Sequence, residues 1–388
     1  MFSICTAGHI NHGKTSLIKK LTGENTDRLI QEKNRGMSIE LGFAKYTSSK
    51  NINASIIDVP GHEKFIKNMI SGTYAVDLVL LVIAANDGIK KQTLEHLKII
   101  KSLEIENLIV VVNKIDLIEK AEFLKLKDNI NNLLEKNKFY KTKIVEISIK
   151  NNIGLDLLKR VIDSEIHKER ITLNGPSRIS IDRVFTLKGK GTIITGTLLG
   201  RSISSKSKLE IFPNNKLLKI KKIESFNENT DHITSGSRCA INIQNLDSKE
   251  ISKGSIISEK GFIITSKFIY VKTNLIKIIK NNSEVMFHTG TSRSNGRLQF
   301  ISEKKIAKIY FKNSISFIVG DTFIIRNNAG TVGGGKIIFP EKLKEEALVK
   351  NFAGSDLSRI ITLLKIKKTF VVKDVSNYLG ILEKEIIN

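Results

Sequence analysis

Apolar runs separated by amphipathic segments dominate the first 171 residues of the chain. The longest run, Leu78–Ala85, is typical of a strand buried on both faces of a parallel sheet. The alternation predicts an α/β domain over 1–171 with a doubly wound, mostly parallel sheet. The predicted strands are Phe2–Ala7, Ala54–Ile57, Leu78–Ala85, Leu108–Val112 and Ile144–Ile147, and the predicted helices include Glu63–Ser71, Lys91–Ser102 and Ala121–Lys136.

The pattern changes after a break at Thr172–Pro176, which predicts a linker. Short alternating apolar runs with frequent Gly, Asn and Asp turns then predict two β-barrel domains, at 174–260 and 262–342. The segment 343–388 is helical again, and it predicts a stub that either begins a winged-helix domain or caps the barrel. In the first case we expect the natural protein to continue beyond Asn388.

Composition places the chain among globular proteins of two or three domains. It has 388 residues, of which 40% are apolar, and no apolar run approaches the ~18 residues of a membrane span. We expect no export signal from the start of the sequence, and its two cysteines, Cys5 and Cys239, are far apart. We therefore expect a cytoplasmic monomer without membrane contact or a zinc cluster.

The formal net charge of +24 has two interpretations. It suits a polyanionic partner such as a nucleic acid, but it also fits a bias toward Lys, Ile and Asn throughout the chain. Aromatic residues make up only 6% and there is no Trp, so contact with a phosphate backbone is favoured over stacking on bases.

Residues Gly8-His9-Ile10-Asn11-His12-Gly13-Lys14-Thr15 match G-x-x-x-x-G-K-[ST], the phosphate-binding loop. The loop follows the first predicted strand and leads through Ser16 into a helix, which is the context that the motif requires. Its backbone N–H groups and the helix N-terminus suit phosphate groups. Lys14 is expected to reach the β- and γ-phosphates, and the Thr15 hydroxyl to hold Mg²⁺.

Three further motifs follow later strands of the same domain. They are Asp58-Val59-Pro60-Gly61, Asn113-Lys114-Ile115-Asp116 and Ser148. Asp58 can hold the water shell of Mg²⁺, and Gly61 can offer its N–H to the γ-phosphate. Asp116 can accept two hydrogen bonds from the edge of guanine, which adenine cannot supply, and the loop at Ser148 can touch the base. The sequence thus predicts a GTPase that uses GTP, GDP and Mg²⁺.

Together these motifs resemble the translational GTPases of the elongation factor Tu branch, in which a GTPase domain precedes two β-barrels. The motifs that carry this resemblance are Gly8–Thr15, Arg35–Ile39, Asp58–Glu63 and Asn113–Asp116. Other stretches are more similar to the selenocysteine-specific (SelB type) factors of that branch, namely Arg35–Ala44, Asp58–Met69, Asp182–Phe185, Gly189–Thr192 and His288–Thr291. The resemblance implies GTP-dependent delivery of selenocysteyl-tRNA to the ribosome at recoded UGA codons.

The resemblance also assigns roles to single residues. His62 matches the residue that orients the attacking water. Ile10 and Met37 match the apolar pair that keeps this histidine away from the water at rest. The implied metal site comprises Thr15, Ser38 and Asp58. The implied nucleotide-binding residues are Gly8, His9, Asn11, His12, Gly13, Lys14, Thr15, Ser16, Asp58, Gly61, Asn113, Lys114, Asp116 and Ser148.

Asp182, Arg183 and Arg238 match positions that line the aminoacyl pocket of the selenocysteine factors. A selenol is largely ionised at neutral pH whereas a serine hydroxyl is not, so cationic side chains favour the selenolate and discriminate against seryl-tRNA. The alternative for these residues is an ordinary ion pair of Arg with Asp on the barrel surface.

Three positions depart from the family's pattern. Asn11 replaces an Asp that helps to bind a monovalent cation, so the expectation of such a cation is weakened at this position. Ser38 replaces Thr and keeps the hydroxyl. Ile149 replaces a small Ala, so the guanine loop is expected to sit differently.

Three other functions stay open. A general or initiator tRNA carrier is one, although elongation factor Tu lacks the Leu41-Gly42-Phe43 continuation and initiation factor 2 gamma usually has a zinc knuckle. A sulfate adenylyltransferase GTPase subunit usually has an acid where His12 stands. Intact His62 and Lys14 argue against a non-hydrolysing module.

In the family, C-terminal winged-helix domains bind the messenger-RNA hairpin. The segment 343–388 is expected to contain at most the first half of one such domain.

Overall fold

The computed structural model describes residues 1–27, 29, 31–32, 37–74, 76–167, 175–187, 191–226, 228–244, 246–302 and 306–339. The chain divides into two units, Met1–Ile171 and Thr172–Asn388. The predicted helical segment 343–388 and residues 172–174 of the predicted linker lie outside the described residues. The predicted α/β domain followed by β-barrel structure is confirmed. None of the helices within the described ranges has the length and apolar character needed to cross a bilayer.

The first unit is built on a six-stranded sheet. Its strands are β1 (Phe2–Gly8), β2 (Gly42–Thr47), β3 (Asn53–Asp58), β4 (Leu78–Ala84), β5 (Leu108–Asn113) and β6 (Lys143–Glu146). Their order is β2-β3-β1-β4-β5-β6, in which β2 pairs antiparallel with β3 and the other neighbours are parallel. Strands β1 and β4 are buried along their whole length, which explains their nearly continuous apolar sequences.

Helices cover the sheet and connect its strands. They are α1 (Lys14–Thr22), α2 (Ile66–Thr73), α3 (Lys91–Ser102), α4 (Lys120–Lys136) and α5 (Leu155–Ile166). Helices α1 and α5 pack on the core through residues such as Leu17 and Leu158. Residues Glu63–Phe65, which the sequence places in a helix, form a separate 3₁₀ turn before α2, because His62 caps the turn by accepting the Lys64 N–H.

The described part of the second unit contains two β bodies. The first has β7 (Arg178–Leu187), β8 (Gly191–Leu199), β9 (Ile203–Ser204), β10 (Leu209–Phe212), β11 (Lys216–Leu217), β12 (Ile220–Ser225), β13 (Glu228–Asn229), β14 (His232–Ile233), β15 (Arg238–Ile243) and β16 (Ile256–Glu259). Eight of these form a sheet in the order β11-β10-β16-β7-β8-β15-β12-β13. One apolar core that includes Ile181, Leu209 and Ile223 draws on strands across this sheet, so the sheet folds over on itself.

The second β body is a closed six-stranded barrel. Its strands are β17 (Ile264–Leu275), β18 (Ser283–Thr289), β19 (Ser292–Ser302), β20 (Ile306–Phe317), β21 (Thr322–Asn327) and β22 (Gly330–Phe339). They close in the order β17-β20-β19-β18-β21-β22 around a core that contains Phe287, Phe317 and Phe323. Closure leaves no exposed sheet edge.

Two polar contacts join the β bodies. The Arg178 guanidinium lies 2.8 Å from the Asp321 carboxylate, and only 16% and 4% of these side chains are exposed. The Thr291 hydroxyl donates a hydrogen bond of 2.7 Å to the Ile181 carbonyl. Separating the two bodies would leave the charges of this largely buried pair without their partners, which is energetically costly. The pair therefore holds the two bodies together.

Candidate nucleotide-binding site

A cleft of about 760 Å³ opens beside the phosphate-binding loop of the first unit, and all four predicted motifs contribute to its surroundings. This follows from the topology, because β1, β3, β5 and β6 are connected through parallel pairings and end at the same edge of the sheet. Gly13 stands at the turn into α1 with φ 96°, and a Cβ atom there would lie 2.5 Å from the Asn113 amide nitrogen. Only glycine fits that position.

Lys14 lies within the loop and is almost fully buried. Its ammonium group donates to the Gly8 carbonyl at 3.2 Å and to the His9 carbonyl at 2.7 Å. A Cβ atom on Gly61 would lie 2.3 Å from this ammonium, so the second motif closes directly over it. Burial lowers the pKa of Lys14 to about 8, although Asp58 opposes the shift.

Lys14 gives nucleotide binding a pH dependence. A bound triphosphate favours the ammonium form, so above about pH 8 binding must take up a proton. We expect an affinity for GTP that is constant below this pH and falls toward tenfold per pH unit above it, measured by calorimetry. Lys20→Ala, an exposed position on α1, should keep the profile. Lys14→Arg should flatten it, and a flat profile in the unmodified chain would contradict the prediction.

Oxygen atoms converge beside Lys14 on the buried Asp58. The hydroxyls of Thr15, Thr26 and Thr6 donate to its carboxylate at 2.7, 2.7 and 3.0 Å. The Ser38 hydroxyl lies 2.9 Å from that of Thr15. Burial raises the pKa of Asp58, and the hydroxyl donors oppose this shift. Hydroxyl and carboxylate oxygens are the ligands that Mg²⁺ prefers, so the predicted metal residues fit this ion.

The sequence did not reveal several residues that shape the segment around Ser38. The Ser38 hydroxyl donates to Asp27 at 2.9 Å. The buried Glu32 carboxylate accepts the N–H groups of Leu29, Ile39 and Glu40 at 2.9, 2.9 and 3.0 Å. Burial raises the pKa of Asp27, the hydrogen bond from Ser38 opposes this shift, and the nearby carboxylates of Asp58 and Glu32 add to it. No periodic pattern marks this segment, which is why these residues were missed.

The third and fourth motifs meet at the other end of the cleft. The Ser148 hydroxyl donates to the Asp116 carboxylate at 2.5 Å, and the Asn113 carboxamide accepts the Ile149 N–H at 3.3 Å. The Lys114 ammonium donates to the Asn11 carbonyl at 3.0 Å, which ties this loop to the phosphate-binding loop. Asp116 keeps an oxygen for a ligand, since a carboxylate accepts several hydrogen bonds.

Among the predicted residues, His62 and Ser16 line the cleft, as do Ile10 and Met37. The His62 ring accepts the Lys64 N–H at 3.2 Å. The buried ring of His12 faces the Val82 carbonyl and Asp87, at 3.3 and 3.1 Å, and the role of this residue in nucleotide binding stays a prediction. The ring of His9 stacks edge-on against it at 5.1 Å. These two rings support the loop from behind, and the His12 backbone carbonyl accepts from Asn113.

Two segments of the chain match known protein families. Residues 1–168 match the elongation factor Tu GTP binding domain, and residues 266–344 match the β-barrel domain of selenocysteine-specific elongation factors. The chain therefore combines a GTP binding domain of the elongation factor Tu type with a β-barrel of the type found in selenocysteine-specific elongation factors. The recognition made from the motifs is therefore confirmed.

Individual selenocysteine-specific elongation factors are also similar to the chain in sequence and structure. The selenocysteine-specific elongation factor of Desulfomicrobium baculatum is 35% identical over 351 residues, which cover 86% of this chain and 55% of that protein. The chain thus spans about half the length of this curated relative. A crystal structure of a bacterial selenocysteine-specific elongation factor superposes with a TM-score of 0.90 at 30% identity, over 98% of this chain and 66% of the other. SelB from Methanococcus maripaludis, solved with the GTP analogue GPPNHP, gives 0.78 at 25% identity, over 88% and 79%.

The predicted aminoacyl residues of this chain lie on β7 and β15 of the second unit. A bulge in β7 at Asp182 shifts the register between Ile181 and Arg183. The Arg238 guanidinium forms a two-pronged ion pair with Asp182 and donates to the Thr195 hydroxyl at 3.0 Å. The charge of Arg238 is thus largely offset within the sheet. The role of the three residues in an aminoacyl pocket stays a prediction.

Proposed function

We propose that this chain is a GTP-dependent elongation factor that binds selenocysteyl-tRNA, delivers it to the ribosome at recoded UGA codons and hydrolyses GTP there. The observation that carries the proposal is the combination, in one chain, of a cleft lined by the predicted phosphate and guanine motifs with a β-barrel of the selenocysteine-specific type. A general aminoacyl-tRNA carrier has the same domain plan, so the test must separate the two.

Each group of the cleft has a distinct part in the proposed reaction. Lys14 neutralises the β- and γ-phosphates. Thr15, Ser38 and Asp58 would hold Mg²⁺, which would supply charge stabilisation to the transferring phosphoryl group. His62 orients the attacking water, and it does so only when the ribosome brings it past Ile10 and Met37.

Recognition of the amino acid is proposed to rest on the strand pair β7 and β15. Arg183 stands next to the bulge, so its side chain is presented differently from those of a regular strand. Arg238 is held in a fixed orientation by Asp182 and Thr195. A selenolate carries a full charge that the Arg183 guanidinium attracts, and Arg238 adds to this attraction only as far as Asp182 leaves its charge uncompensated. The neutral hydroxyl of serine gains much less.

The test is protection of the ester bond in charged tRNA. We expect that the chain with GTP slows hydrolysis of selenocysteyl-tRNA at least tenfold more than that of seryl-tRNA on the same tRNA body. Arg183→Gln should reduce this selectivity, while Arg201→Gln, a half-exposed arginine paired with Glu259, should not. Arg238 is a poorer first choice, because its removal leaves Asp182 buried and unpaired.

An ordinary elongator aminoacyl-tRNA completes the comparison. Equal protection of all three tRNAs, or preference for the elongator, would refute the specialised function and support a general carrier.

A further inference from the structure

Two side chains on one face of α3 bind the phosphate-binding loop from behind. The Gly8 N–H donates to His96 Nδ1 at 2.9 Å, and the Ile10 N–H donates to Gln92 Oε1 at 3.2 Å. Residues four apart in a helix lie on the same face, so one turn of α3 holds two points of the loop. We propose that Gln92 and His96 are positioning residues that keep the loop in its nucleotide-binding shape and thereby slow nucleotide release.

The shape of the loop explains why it needs such support. Gly8, Asn11 and Gly13 have φ angles of 127°, 61° and 96°, all in the region that L-residues rarely adopt. A backbone of this kind persists only where its surroundings over-determine it. The hydrogen bonds from α3 are contacts of that sort, because they fix the N–H groups on either side of His9.

A third attachment continues the pattern. The His12 ring lies 3.3 Å from the Val82 carbonyl at the end of β4, and 3.1 Å from Asp87 in the turn that leads to α3. Asp87 is in turn paired with Lys90 at 2.6 Å. Alternate residues 8, 10 and 12 of the loop are therefore all tied to the segment from β4 to α3.

The chemistry of His96 favours this role over that of a core filler. The residue is fully buried, and burial lowers its pKa to about 3, with Lys14 and His9 adding to the shift, so the ring stays neutral. Because Nδ1 accepts the Gly8 N–H, the proton sits on Nε2, which has no hydrogen-bond partner among the described residues. A buried polar group without a partner is costly, and an apolar side chain would avoid that cost.

The proposal rests on the nucleotide binding proposed above. Phosphate groups are held by the N–H groups of the loop only while these converge on one point. Without the bonds to α3 the loop samples other shapes, and the nucleotide leaves faster. Changes of this kind act mainly on the dissociation rate.

The experiment measures the release of fluorescent GDP and GTP, chased with unlabelled nucleotide, together with the melting temperature. We expect His96→Leu and Gln92→Leu each to speed release roughly 3- to 10-fold, the range for loss of one hydrogen bond. His96→Asn should restore slow release, because its Oδ1, like Nδ1 of histidine, is bonded to Cγ and can accept the same N–H. Ser102→Ala serves as a control at the far end of α3, since its buried hydroxyl has no partner in the described part of the chain.

The possible results separate cleanly. Faster release from both leucine variants, with His96→Asn and Ser102→Ala close to the unmodified chain, supports the proposal. Unchanged release from His96→Leu, even with a lower melting temperature, overturns it, and so does equally fast release from His96→Asn or Ser102→Ala. If the unmodified chain binds neither nucleotide, the proposed function fails and this proposal fails with it.

Discussion

Asp116→Asn should lower the affinity for GTP by about 10²–10⁴-fold and raise that for xanthosine triphosphate. The carboxylate can accept two hydrogen bonds from guanine, and each bond to a charged group contributes about 1.5–3 kcal/mol. An amide replaces one acceptor with a donor, which repels the guanine amino group but matches the carbonyl of xanthine. Ser148, at 2.5 Å, holds the side chain in place for either base.

Titration of the purified chain with both nucleotides measures this effect. Asp128→Asn is the matched control, because it removes the same charge from an exposed position on α4. Its affinity for GTP should stay within twofold of that of the unmodified chain. If Asp116→Asn binds GTP as tightly as the control, Asp116 does not contact the base, and the assignment of guanine specificity to this residue is wrong.

His62→Ala should reduce ribosome-stimulated GTP hydrolysis by about 10²–10⁴-fold and leave GTP affinity nearly unchanged. This is the usual effect of removing a group that positions or activates a water in the transition state. His62 lines the cleft next to Gly61, and Gly61 closes over Lys14, so the ring stands near the predicted γ-phosphate position. Its ring accepts the Lys64 N–H at 3.2 Å, a contact that does not involve the phosphate-binding loop.

Single-turnover hydrolysis of GTP, with and without ribosomes, provides the measurement. The unstimulated rate should change much less than the stimulated one, because the ring is expected to act only after the ribosome engages. His232→Ala, an exposed histidine in the second unit, should behave like the unmodified chain. Full stimulation in His62→Ala would show that another group orients the water.

The strands that precede the phosphate and guanine motifs can be located in the sequence for a physical reason. Strands buried on both faces are continuous apolar runs, so their ends are easy to locate. Parallel pairing then brings those ends, at Gly8, Asp58 and Asn113, to one edge. The helix Lys91–Ser102 was also predicted with the bounds that α3 has.

The residues that escaped prediction depend on long-range contacts. Gln92 and His96 look like ordinary positions of an amphipathic helix, and their bonds to the loop appear only once α3 packs beside β1. Asp27 and Glu32 lie in a stretch without regular periodicity, so no local pattern marks them. The contacts of the His12 ring with Val82 and Asp87 also depend on long-range packing, and the motif alone does not predict them.

The Arg178–Asp321 pair has a consequence for any large ligand that touches both β bodies. Ordering two independent modules against each other on binding reduces affinity, because their freedom of motion is lost at that moment. Here the buried ion pair and the Thr291 bond impose that order during folding instead. A rigid ligand that lies across both bodies would meet a preassembled surface, and its contacts on one body would set the position of its contacts on the other.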